Sequence, residues 1–114
     1  MAIPVEVRAA AEAALAEFCR SHSSVDVADQ LRYDYDFSAN AALLIEKRPS
    51  FMNKSEWTSV PVAKFRYSVG KGVWTLYWAD SNERWRRVSS APAAANIDAL
   101  LRAIVADPSG VFWG

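Results

Sequence analysis

Residues 61–88 read PVAKFRYSVGKGVWTLYWADSNERWRRV, and this stretch decides the fold. Its apolar side chains alternate with polar ones, as Ala63, Phe65, Tyr67 and Val69 and then as Trp74, Leu76 and Trp78. A period of two is the mark of half-buried β-strands. Gly70-Lys71-Gly72 separates the two runs, and glycine tolerates the positive φ that tight hairpin turns demand. Asp80-Ser81-Asn82-Glu83 supplies a second turn, after which Arg84-Trp85-Arg86-Arg87 opens a third strand. Trp74, Trp78 and Trp85 are core candidates, since full burial of a tryptophan contributes about 4 to 6 kcal/mol.

Upstream, residues 30–37 (QLRYDYDF) alternate again, with Leu31, Tyr33, Tyr35 and Phe37 on one side and Arg32, Asp34 and Asp36 on the other. A turn at Ser38-Ala39-Asn40 joins them to a strand over Ala41–Lys47, which Arg48-Pro49 ends because proline cannot donate to a ladder. The following SFMNKSEWTSVP reads as a long loop whose Phe51, Met52 and Trp57 fold back on the body as a lid or a plug. Residues 3–22 carry Val7, Ala11, Ala14, Leu15 and Phe18 at helical spacing, with Pro4 suited to a first turn. Ile97, Leu100, Leu101, Ile104 and Val105 form a second helical stripe, opened near Asn96 and closed by Asp107-Pro108-Ser109-Gly110. The apolar tail of residues 111–114 is expected to dock on the sheet or on a second copy.

The order helix, five strands, helix predicts an α+β domain over residues 1–114: a five-stranded antiparallel meander with the N-terminal and C-terminal helices packed on one face. A chain of 114 residues suits one domain. Thirteen basic and thirteen acidic residues cancel, so overall charge does not mark a general nucleic-acid binder. The distribution is uneven, with eight basic and three acidic residues between Arg48 and Arg87. Cys19 is the only cysteine, which excludes an internal disulfide and suits a reducing, cytoplasmic setting. No signal peptide and no apolar run of membrane-spanning length is legible.

Chemistry-bearing residues are sparse. Cys19 lacks a resolving partner and reads as a small hydrophobe. His22, the only histidine, falls at a helix end, where it serves as a cap. Asp34 and Asp36 share one strand side without a third oxygen ligand at fixed spacing. Phosphate loops, paired-cysteine metal sites and nucleophile elbows are absent, so no cofactor, metal or catalytic residue is assigned.

The surface is more informative. With Phe65, Tyr67, Trp74, Leu76 and Trp78 toward the helices, Lys64, Arg66, Thr75 and Tyr77 face outward, and the alternation extends this face to Arg84 and Arg86. Arg48, Lys64, Arg66, Tyr77, Arg84 and Arg86 are therefore the candidate ligand- or partner-binding residues. They point to a non-catalytic binding module whose ligand is anionic or aromatic, single-stranded nucleic acid included, or to a homo-oligomer that buries the same face. The enzyme alternative gathers Asp34, Asp36 and Arg48, with His22, around a polar cleft.

Arg48-Pro49 followed by an aromatic, SEWTSVPVAKFRY, GVWTLYW, the Arg84-Trp85 pair and the closing ADPSGVFWG together resemble the bacterial domain-of-unknown-function family numbered 3024. The likeness spans nearly the whole chain, with Phe51 where the family pattern has tryptophan and Arg86 where it has histidine. It implies a small stand-alone bacterial protein and carries no reaction with it.

Overall fold

A computed structural model describes residues 2–22, 32–50, 56–107, 110 and 112. The elements run α1 (Val5–His22), β1 (Arg32–Phe37), β2 (Ala41–Pro49), β3 (Trp57–Ser68), β4 (Val73–Ala79), β5 (Trp85–Arg87) and α2 (Ile97–Ala106). The strands pair antiparallel in the order β1-β2-β3-β4-β5, the meander that the alternating runs predict.

One side of this sheet is sealed. Ala42 and Leu44, Ala63 and Phe65, and Trp74 and Leu76 are all at most 1% exposed, and each strand presents them at every second position. Above them lie Ala11, Leu15, Phe18 and Cys19 of α1 and Ile97, Leu100, Leu101 and Ile104 of α2. Ala11 leaves little side chain between helix and strands, so that part of α1 can lie close to the sheet. Ile3 anchors the chain start by donating its amide to the Ala39 carbonyl at 2.8 Å. Asn96 caps α2, its Oδ1 accepting from the Asp98 amide at 2.9 Å, and Asp107 ends the helix in the left-handed region at φ 41°. Val105 belongs to the helical stripe by spacing but is 54% exposed, because α2 turns that position away from the sheet toward the groove between the helices. Trp78 is half-buried against the same core.

The turns follow their sequences. In the β3–β4 connection Gly72 sits at φ 65° and its amide donates to the Ser68 carbonyl at 2.7 Å. In the β4–β5 turn the Asp80 carboxylate accepts from the amides of Asn82 (2.9 Å) and Arg84 (3.0 Å) and from Arg86 Nε (2.7 Å). Glu83, at φ 62°, takes the left-handed position there. β5 pairs only with Tyr77–Ala79, so the edge of β4 beside Trp74 is covered by Ala94 instead, through amide hydrogen bonds of 2.7 and 3.0 Å in both directions.

Two expectations are corrected. The stretch expected to be a loop through Pro61 is already strand from Trp57, because β2 continues to Pro49 and offers a ladder. The register shifts between Leu44 and Ile45, so that Val62 of β3 has no residue of β2 opposite it. Trp57 is 38% exposed with the Arg32 guanidinium 4.8 Å above its ring, so it neither plugs the body nor hangs from a lid. Phe51 and Met52 lie outside the described residues. The second correction concerns Trp85. Its partner across the ladder is Ala79, one residue past Trp78, which places Trp85 on the side away from the helices and half-exposed.

Candidate functional site

The side of the sheet that no described helix covers holds most of the candidate residues. Residues directly opposite each other in an antiparallel ladder share a face, so the registers can be read across the strands. One row crosses all five: Asp36, Leu43, Lys64, Tyr77, Arg87. The next row toward the β3–β4 turn holds Ala41, Arg66 and Thr75, and on the other side Ala79 stands beside Trp85. Tyr77 thus has Lys64 on one flank and Arg87 on the other, with Arg66 and Trp85 at its diagonals.

The cations on this face differ in how they are satisfied. Lys47 Nζ is 3.0 Å from Asp34 Oδ2 and is neutralised there. Lys64, Arg66 and Arg87 have no ion-pair or side-chain hydrogen-bond partner among the described residues. Against Arg66 the face dips into an open pocket of about 440 Å³ lined also by Asn40, Ser68, Thr75 and Tyr77. Its wall is mainly polar, as a hydrated anionic group requires.

Of the residues singled out by sequence, the structure groups Lys64, Arg66 and Tyr77 and separates the rest. Arg86 faces Trp78 across the ladder, on the helix side, and its Nε is committed to Asp80. Arg84 precedes β5, in the turn that Asp80 closes. The expected placement of Arg84 and Arg86 beside Arg66 is therefore replaced by Trp85 and Arg87. The cue was present: Val88 is buried, 5% exposed, and alternation back from it puts Arg86 inward and Arg87 outward. Arg48 neighbours Lys47 along β2 and so lies on the opposite side of the sheet from Asp34 and Asp36, paired with Glu46. Those three residues form no common cleft.

The remaining candidates are structural. His22 stacks on Phe18 with ring centroids 4.0 Å apart, and its Nδ1 lies 2.9 Å from the Phe18 carbonyl, the helix-end position expected of it. Burial, followed by the charge of Asp34, pushes the Cys19 thiol up to about 11, so it is not a ready nucleophile. Desolvation raises Asp34, but the Lys47 hydrogen bond, the Tyr35 amide and the Lys47 charge outweigh it and hold the carboxyl below its ordinary value. Among the described residues no three His, Cys, Asp or Glu side chains are grouped to hold a metal ion, and no helix is long and apolar enough to cross a membrane.

The sequence matches the family described as Domain of unknown function (DUF3024) over residues 3–114. The chain belongs to this family. Comparison with curated proteins and with solved structures gave no match. The DUF3024 match covers both helices and all five strands, so the uncovered face lies wholly within the family's domain.

Proposed function

We propose that this DUF3024 chain is a non-catalytic binding module that holds an anionic partner on the uncovered face of its sheet. The observation that carries this reading is the row Lys64, Tyr77, Arg87 with Arg66 at its diagonal. What sets Lys64, Arg66 and Arg87 apart is their grouping: three cations without an ion-pair partner among the described residues surround one half-buried ring. Such a cluster raises the local potential and favours counter-charge from outside the molecule. The enzyme alternative loses its support in the geometry, since Asp34 is matched by Lys47 and Arg48 is turned to the other face with Glu46.

The test is a titration of the protein with inorganic polyphosphate, followed residue by residue through amide chemical shifts. Shifts are expected on β3, β4 and β5 around Lys64, Arg66, Tyr77 and Arg87, and the double variant R66E/R87E is expected to weaken binding at least about tenfold, roughly the effect of reversing two close charges. An unaltered R66E/R87E affinity, or shifts confined to the helices, overturns the reading.

A further inference from the structure

We infer that the ligand of this face is a single-stranded oligonucleotide, with Tyr77 and Trp85 as platforms for two successive bases. The inference rests on the anion-binding reading above and narrows it to one chemical class.

Trp85 is the deciding residue. A tryptophan that belonged to the core would lie with Trp74 and Trp78, yet the Ala79–Trp85 pairing sets it on the face without helices. It stands on β5 two residues from Arg87, which is opposite Tyr77 on β4. Diagonal neighbours in such a ladder are about 7 to 8 Å apart. That spacing is roughly twice the 3.4 Å step along one strand of a duplex. Two bases seated on these rings are therefore spread apart and unstacked from each other, which a paired duplex does not permit and a single strand does.

The charges follow the same line. Arg66 on β3, Tyr77 on β4 and Trp85 on β5 run diagonally across three adjacent strands, and Lys64 and Arg87 flank the middle of that line. Cations beside stacking rings are placed to meet the phosphates between the bases, and the polar pocket at Arg66 and Thr75 gives one phosphate a recess. The far end of the row carries Asp36, whose carboxylate repels a phosphodiester. The path is thereby confined to β3–β5. Thr75 and Ala79, the same-face neighbours of Tyr77 along β4, and Ala79 opposite Trp85 are small side chains next to the rings.

The test uses the full chain with fluorescent twelve-nucleotide dT and U oligomers, the same length of mixed-sequence duplex, and inorganic polyphosphate. Three phosphate contacts on a single strand predict a log K against log salt slope of about −2. Y77L and W85L are each expected to weaken oligomer binding roughly 5- to 150-fold, W85L while leaving polyphosphate affinity unchanged, and Y77F is expected to retain oligomer binding. Thermal unfolding of each variant distinguishes lost stacking from lost folding. Binding of oligomers that Y77L and W85L do not weaken, or equal affinity for duplex, overturns the nucleic-acid inference and leaves the anion-binding reading intact. Failure of both oligomer and polyphosphate to bind overturns both.

Discussion

The two faces of the sheet are made by the same strands, one residue out of step, and they have opposite characters. Under the helices, Leu44, Phe65, Trp74 and Leu76 are essentially without solvent contact and belong to one hydrophobic cluster. On the other face, Leu43, Lys64, Tyr77, Thr75 and Trp85 are half-exposed, and charge is interleaved with rings. The covered face has spent its side chains on stability. The other face carries aromatic area and three cations without an ion-pair partner among the described residues.

This contrast predicts unequal costs for like substitutions. Trp74→Ala should lose about 3 to 5 kcal/mol in urea unfolding, through lost transfer energy and the cavity left under the helices. Trp85→Ala, on the other face, should lose no more than about 1 to 2 kcal/mol, since only part of its ring leaves water on folding. Equal losses would show that Trp85 is a core residue after all and would break the comparison. A smaller effect tests how the covered face is closed. Asn96→Ala removes the side-chain acceptor of the Asp98 amide and should cost about 1 kcal/mol, read from the same unfolding curves, with no change in polyphosphate affinity.

The smallest effect expected concerns pH. The Asp80 carboxyl is held below its ordinary value, first by the Arg86 hydrogen bond and then by the Arg84 amide, against some desolvation. A carboxylate whose folded value is depressed contributes stability above its unfolded value near pH 4 and loses it as pH falls through the lower folded value. The difference in melting temperature between the native chain and D80N should therefore be present at pH 7 and shrink steadily below about pH 4. A difference independent of pH would mean that the turn is held by the amide contacts' geometry and not by the charge.

Most of the fold was legible because burial imposes periodicity. The alternation at residues 63–69 and 74–78 fixed which side of the central strands faces inward, and the stripe from Ile97 to Ile104 identified α2. What the pattern did not carry was parity across an irregular connection. The Asp80 turn determines whether Arg86 or Arg87 faces outward, and RWRR satisfies an alternating reading in either phase. Only Val88, beyond the strand, breaks the tie. The Trp57–Pro61 segment shows a related effect: its composition is that of a loop, and it is extended because β2 supplies hydrogen-bond partners. Local propensity yields there to pairing from elsewhere in the chain. The site was half legible, since Lys64, Arg66 and Tyr77 lie in a strand of clear phase, while Trp85 and Arg87 lie beyond the ambiguous turn.

Pro61 also has a consequence for how molecules meet one another. β3 runs on past the last residue that β4 pairs with, so the stretch from Trp57 to Pro61 keeps β2 on one flank, and among the described residues β4 does not reach its other. A bare flank of that kind invites a neighbouring chain to add itself, and then another, toward a fibre. A ring nitrogen without a proton, set at a kink in the ladder, denies the newcomer a regular run of bonds, so the irregularity that fits this ribbon to its own sheet also keeps it from being extended by a stranger's.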